Sequence, residues 1–387
     1  MKVAIVGAGV AGAYLSGLLA EKGCSNLLFD YLAPYEKPCG GGIASKTIRE
    51  FPFLDSQEIA KREVHSVEFV SPRGRAYTFS LPSPFYVFSR KELSRFLIDR
   101  AMRLGASFIP EKVVRVERRK RGWEVISDHG SYSADLLVGA DGVKSIVRRQ
   151  LWRNFDPRDL SLTVVSYIKG DFEGRVKVCF LSGVEGYIWW FPRPGNASVG
   201  IGSPLGQIES HQLETLLRKF TSEYYPSRGK RGVSFKWALV PSLRAEELSR
   251  QRFSGERWAL VGDAAGLVDP LTREGIYYAL KSAQLLAEAI LKGELGEYDR
   301  MLEEEFLGEL RKAARLRRRF YSPWFLEMGL RLAAASGSFR EIAFQLLLEK
   351  PAYTRLKKRL LWKGVPGAAQ FIWYYSTRPL RRKSSLQ

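Results

Sequence analysis

Cysteine, histidine and asparagine are scarce in this chain, at three residues each out of 387. Cys24, Cys39 and Cys179 are odd in number, lie far apart and form no CxxC pair. That excludes a disulfide framework and a zinc knuckle, and it suits a reducing compartment. His65, His129 and His211 are scattered, so no metal centre is expected. No uncharged apolar run reaches the roughly 20 residues that a membrane-spanning helix needs. The apolar start is broken by glycines, so it does not read as a signal peptide. Scarce asparagine beside abundant arginine is compatible with a warm habitat.

Positive charge, by contrast, is plentiful: 61 Lys and Arg against 41 Asp and Glu, a net +20. It is unevenly spread. From Arg311 onward 18 basic residues face only Glu327, Glu341 and Glu349, a net +15, which leaves +5 for the first 310 residues. Such an excess suits an anionic partner, namely phospholipid headgroups or a pyrophosphate group; a solubilising surface is the plainer alternative. No nucleic-acid-binding motif accompanies the charge, so nucleic acid is not expected as a partner. The length allows two or more structural units.

Residues 3–12 read VAIVGAGVAG. An apolar run predicts a buried parallel strand, and residues 11–19 continue as an apolar helix. Gly7 permits a tight turn, Gly9 lets the backbone approach a pyrophosphate, and Gly12 lets helix and strand pack closely. The cofactor-facing end of that helix, at Ala11, offers free N–H groups and the positive end of its dipole. Asp30 ends the next apolar run about 20 residues on, where an acid binds the adenosine ribose. Two later segments repeat the pattern of a strand running into Gly and Asp: residues 136–145, LLVGADGVKS, and residues 258–263, WALVGD. Asp263 at a strand end is placed to accept hydrogen bonds from ribityl hydroxyls. Ile276, Ala279, Leu280, Ala283 and Leu286 recur at helical spacing, so a helix starts near Gly275, its N-terminus suited to negative charge on a reduced flavin ring. Together the three segments point to one bound FAD. No second glycine fingerprint marks a separate NAD(P) domain.

These glycine and Gly-Asp segments, in this order, resemble the para-hydroxybenzoate hydroxylase-like flavoproteins over roughly the first three quarters of the chain. The resemblance implies an α/β (mixed α+β) fold: a Rossmann-like FAD-binding domain, an interleaved antiparallel-sheet substrate domain and a helical C-terminal segment. Residues 64–79 and 161–201, rich in alternating and aromatic strand formers, agree with it. The expected bounds are 1–60, 86–155 and 255–295 for the FAD domain, 61–85 and 156–254 for the sheet domain, and 296–387 for a basic helical segment. The resemblance also implies that Arg90 contacts FAD and that Asp141 and Gly142 form a second dinucleotide-contacting turn, with Gly262, Gly275 and Ile276 lining the flavin.

Two further motifs narrow this. Residues 37–43, KPCGGGI, resemble the KPCGG segment of geranylgeranyl reductases, and residues 187–192, YIWWFP, match their YxWxFP pattern. That family reduces isolated double bonds of prenyl chains with reduced FAD. An isolated alkene is a poor hydride acceptor, so hydride delivery from flavin N5 at one carbon is coupled to protonation at the other. An unperturbed thiol, with a pKa of about 8.5, carries its proton near neutrality. Cys39 is therefore expected as the proton donor or its positioner, with Gly40 and Gly41 letting the backbone approach the cofactor. Tyr187 and Trp189 alternate onto one strand face, where their rings would stabilise cationic character and, with Phe191 and Pro192, line a lipid slot. One departure stands out: where the family commonly has Gly-Glu-Gly, this chain has Arg273, Glu274 and Gly275.

The expected function is an FAD-dependent geranylgeranyl reductase-like enzyme acting on a lipid, diphosphate or (bacterio)chlorophyll-type substrate. NAD(P)H and ferredoxin are both compatible electron donors. A flavin monooxygenase or halogenase of the same fold is the alternative within enzymes, and a non-catalytic membrane-binding flavoprotein is the alternative outside them. Residues 364–377 are uncharged and aromatic between basic clusters at 357–363 and 378–383, which suits a membrane interface. A cytoplasmic protein, peripheral on the inner membrane face, is the matching location.

Overall fold

The computed structural model describes residues 1–172, 174–224, 234–348 and 353. The expected interfacial segment at 364–377 and its flanking basic clusters lie outside the described residues. By contacts the chain divides into two units, each built from three stretches. The first comprises 1–37, 89–160 and 239–314; the second comprises 38–88, 161–238 and the chain from 315 onward. These bounds differ from the expected ones. The stretch 38–60, expected with the nucleotide half, packs instead with the sheet-rich unit, and the C-terminal segment is shared between the two.

The first unit is built on a six-stranded sheet in the order Ser254–Gly255, Trp258–Leu260, Leu136–Gly139, Lys2–Val6, Ser25–Phe29, Ser107–Ile109. All neighbours pair in parallel except the short edge strand Ser254–Gly255. Burial on both faces explains the uninterrupted apolar runs. The helices Val10–Glu21, Arg90–Arg103 and Ile276–Lys292 pack together, with the first in the middle. Register brings the carboxyl ends of four strands into one row, since Val6 lies opposite both Gly139 and Phe29, and Gly139 lies opposite Leu260. Ligands of open α/β sheets bind at this edge. A small antiparallel sheet, Val113–Arg119, Gly122–Ser127 and Ser131–Ala134, is added to the unit.

The second unit carries an eight-stranded sheet: Lys236–Pro241, Leu160–Lys169, Asn196–Pro204, Tyr187–Arg193, Val176–Phe180, Lys61–Val70, Ala76–Phe88, Gly42–Ala44. From Leu160–Lys169 to Gly42–Ala44 in that order the neighbours pair antiparallel, apart from Val176–Phe180 with Lys61–Val70, which run parallel and come from two separate stretches of chain. One face holds Val164, Ile188, Trp190, Val199 and Ile201 under Leu213, Leu217 and Phe220 of the helix Ser210–Tyr224. The other face is covered from the C-terminal side. Tyr321 and Leu326 pack on Phe180, and Ala333 and Phe344 pack on Val67 and Phe79. The helices Pro323–Ala335 and Gly337–Leu348 are thus part of the core of this unit.

Candidate active site

At the row of strand ends in the first unit the glycines are required by what surrounds them. Gly7 has φ of +103°, the left-handed side that other residues avoid, and its N–H donates to the Phe29 carbonyl at 2.7 Å. A Cβ on Gly12 would overlap the Gly7 carbonyl, so only glycine lets this helix start so close to the turn. A Cβ on Gly9, by contrast, would meet nothing within 4 Å: open space lies in front of the helix N-terminus. No side chain caps that helix, nor the helix beginning at Ile276, so each N-terminus keeps unclaimed backbone N–H groups. An open cradle with uncapped donors fits a dinucleotide pyrophosphate.

Carboxylates stand around this cradle. Asp30 accepts the Ala8 N–H at 2.9 Å on one oxygen and the Leu32 and Ala33 N–H groups on the other, so it fixes the loop. Gly262 lies against Ala11, and a Cβ on Gly275 would approach the Asp263 carboxylate to 3.3 Å. The Asp263 carboxylate accepts a hydrogen bond from Lys37 Nζ at 2.5 Å. Glu36 accepts from the Ser89 hydroxyl at 2.7 Å and from the Arg90 N–H at 3.1 Å, holding the start of the Arg90–Arg103 helix. Sequence reasoning singled out neither Glu36 nor Lys37; the KP dipeptide at the head of the cysteine motif was the available signal for the lysine. Asp141 accepts the Ile146 N–H at 2.6 Å. Burial pushes its carboxyl up to about 6, against the pull of hydrogen bonds from Ser145 and Ile146. Gly142 follows at φ of +76°. Arg148 is buried beneath the Gly262–Ala265 turn, donating to the Ala264 carbonyl at 3.3 Å and to Gln251 at 2.6 Å; burial lowers it to about 10. Arg273 has φ of +60°, in the left-handed region where glycine is favoured. That is a backbone reason for the glycine found there in the resembling family.

The second unit brings the cysteine loop onto the aromatic strand. Trp189 lies opposite Gly200, Phe191 opposite Ser198, and Tyr187 opposite Gly202, so all six share one face. The small residues leave room for the large ones: a Cβ on Gly200 would overlap the Trp189 ring. Trp189 Nε1 donates to Ser198 Oγ at 3.2 Å, and that hydroxyl donates to the Cys39 carbonyl at 3.0 Å. The Gly41 N–H points at the Cys39 Sγ at 3.3 Å. Cys39 is half-exposed, whereas burial pushes the Cys179 thiol up to about 12 and also raises Cys24. Tyr187 and Trp189 meet edge to face at 6.1 Å, as do Phe85 and Phe191 at 5.6 Å.

Four of the expected site residues, Pro192, Trp189, Gly40 and Gly41, are packed as follows. Pro192 lies on the other strand face, opposite Ala197 and in step with Ile188 and Trp190, because side chains alternate. Trp189 is 6% exposed, its ring packed over Gly200. Gly40 and Gly41 are required by the protein itself: the Phe191 ring fills the Cβ position of Gly40 at 2.7 Å, and Gly41, at φ of +75°, lies against the Phe88 carbonyl. The linking serine, Ser198, went unnoticed because nothing in the sequence spacing marks it. Among the described residues Glu111, Asp128 and His129 hold ligand atoms within 4.8 Å of one another, but Glu111 is engaged by Ser127 and by Tyr132.

A parallel sheet whose strand ends present a glycine cradle and a row of carboxylates is the Rossmann-like arrangement of an FAD-dependent oxidoreductase. The sequence profile of the FAD binding domain matches residues 1–305, and the chain belongs to that family. A geranylgeranyl diphosphate reductase of Rhodobacter capsulatus is 29% identical over 306 residues, covering 74% of each chain. Among solved structures, a geranylgeranyl bacteriochlorophyll reductase-like protein of Thermoplasma acidophilum matches with a TM-score of 0.77 at 20% identity, over 96% of this chain and 98% of that one. A flavin-dependent brominase matches with a TM-score of 0.72 at 16% identity, over 95% of this chain and 100% of that one. The two structural likenesses concern the fold alone.

Proposed function

We propose that this protein reduces carbon–carbon double bonds of a prenyl chain carried on a lipid, diphosphate or tetrapyrrole headgroup. The observation that carries the reading is the hydrogen-bonded link from Trp189 through Ser198 to Cys39, which ties the cysteine motif to the aromatic motif. The similarity to a named geranylgeranyl diphosphate reductase supports the same choice.

FAD, when bound and reduced, supplies the hydride. Gly7, Gly9 and Gly12 with the two uncapped helix ends hold its phosphates, and Asp30 and Asp263 its hydroxyls. Asp141, Gly142, Arg90, Gly262, Gly275 and Ile276 complete that surface. The chain's own residues then manage the proton. Cys39 carries it on Sγ and delivers it to one alkene carbon as the hydride reaches the other. The Gly41 N–H directed at Sγ holds the sulfur in position. Because Cys39 is half-exposed, water restores the proton. Tyr187 and Trp189 present π faces to positive charge that develops on the alkene. Lys37, ion-paired to Asp263, precedes Cys39 by two residues, no more than about 7 Å of chain.

The test is anaerobic. The bound flavin is reduced chemically, geranylgeranyl diphosphate or a geranylgeranylated glycerophospholipid is added, and flavin reoxidation is followed together with product mass. Reoxidation with hydrogen added across the prenyl double bonds is expected, and Cys39→Ala should keep FAD but lose it. Reduced flavin that ignores every prenyl lipid and instead reacts with oxygen to modify another substrate would replace this reading with the monooxygenase one.

A further inference from the structure

The helix Gly308–Phe320 ends in a cluster of arginines, and the chain turns at Tyr321 and Ser322 into the helix Pro323–Ala335. The corner is held by packing and a helix cap. Tyr321 is buried against Phe180 and Leu326, and Ser322 caps the second helix by accepting the Phe325 N–H. It also donates to the Arg319 carbonyl at 2.8 Å. Held in this way, the corner nevertheless directs Trp324 outward at 70% exposure and Phe325 at 37%. The Phe325 and Phe320 ring centroids lie 6.0 Å apart, so the aromatic surface continues across the turn. A tryptophan could bury a large apolar area, and here the neighbouring Leu326 takes the inward position instead.

Arg315, Arg318 and Arg319 lie one helical turn apart on the preceding helix, all exposed. Among the described residues none of the three has an acidic partner within ion-pair distance. Two other arginines of the same helix are paired, Arg317 with Glu185 at 3.1 Å and Arg311 with Glu303. The arginines beside the aromatic corner are thus the ones left for an outside partner.

We propose that this corner is a docking surface for an anionic lipid bilayer, with Trp324 and Phe325 entering the headgroup region and Arg315, Arg318 and Arg319 meeting lipid phosphates. Charge complementarity decides the occupant. Amphipathic aromatic rings favour the membrane–water interface, and cations beside them are drawn to the negative leaflet. No helix among the described residues is long and apolar enough to cross a membrane, so the surface rests on the bilayer through side chains. This inference stands independently of the reductase reading, because docking requires no catalysis.

Flotation of the full-length holoprotein with vesicles tests it, comparing pure phosphatidylcholine with mixtures rich in phosphatidylglycerol, at low salt and at 1 M salt. Binding to the anionic vesicles alone, released by salt, is expected. Arg315→Gln, Arg318→Gln and Arg319→Gln combined should weaken partitioning on the order of 100-fold. Trp324→Ala should weaken it roughly tenfold. All four side chains are exposed, so unchanged melting temperature and flavin content separate docking from folding. Undiminished partitioning in these variants would overturn the proposal by assigning membrane contact to another part of the chain. Equal binding to phosphatidylcholine would overturn the charge argument. A Trp324→Ala change that converts a dimer to a monomer, without vesicle binding in either form, would give the surface to a second copy of the chain.

Discussion

Arg273 sits at φ of +60° in a loop drawn tight by Asp269, whose carboxylate accepts the Leu271 and Thr272 N–H groups. A residue with a Cβ pays roughly 1 kcal/mol for that backbone. Comparing two truncations isolates the cost, since both remove the guanidinium: Arg273→Gly should exceed Arg273→Ala in stability by about 1 kcal/mol in urea unfolding. Equal stabilities would show that the loop relaxes. Asp141 supplies a pH dependence. Its folded-state pKa of about 6 lies above the usual carboxylate value, so the folded chain holds the proton more tightly than the unfolded one. Stability from this group is complete below the unfolded value near pH 4 and is lost as pH rises toward 6, on the order of 2–3 kcal/mol. Asp141→Asn should remove that slope. Unfolding midpoints of apoprotein and variant measured from pH 4 to 7 would diverge if this holds, and parallel curves would refute it.

At the scale of elements, the hairpin Tyr187–Arg193 and Asn196–Pro204 does two jobs through its alternation. One face feeds the core beneath Ser210–Tyr224; the other stacks aromatic rings over Ser198, Gly200 and Gly202. Ser198 converts that packing into control of the cysteine loop, because its hydroxyl joins the Trp189 indole to the Cys39 carbonyl. Ser198→Ala leaves the buried Trp189 indole N–H and the part-buried Cys39 carbonyl unpaired, at a cost of about 2 kcal/mol. It should also change the alkylation rate of Cys39 several-fold, followed by peptide mass spectrometry, with Ser198→Thr restoring the parent rate. A stability loss with unaltered thiol reactivity would mean that the serine supports the sheet alone. The strands here were legible from alternating and aromatic residues. The pairing of Phe191 with Ser198 was not, because register depends on the tight turn between the strands and on which face is buried.

For the whole molecule, the nucleotide-binding unit is assembled from three stretches of chain, and its row of strand ends exists only once all three have met. Ligand binding at such a site stabilises every stretch that contributes to it. Added FAD at 100 times its Kd should therefore stabilise the folded chain by about 2.7 kcal/mol, seen as a concentration-dependent rise in melting temperature. Apoprotein whose melting temperature ignores FAD would remove the cofactor assignment.

Local signals of period and punctuation were enough to read the Rossmann-like strand, turn and helix, the later Gly-Asp segments and the aromatic sheet strands. Burial on both faces writes itself as an apolar run, and a positive φ as a glycine. Long-range facts had no such mark. Chain position alone could not place residues 38–60 with the sheet-rich unit, or fold the C-terminal helices over its aromatic face. Nor could it pair Lys37 with Asp263, 226 residues away, or Ser198 with Cys39. The sequence by itself determined which chemistry-bearing segments exist. Only the tertiary structure decided which of them touch, because contact between distant residues depends on the packing of everything between them.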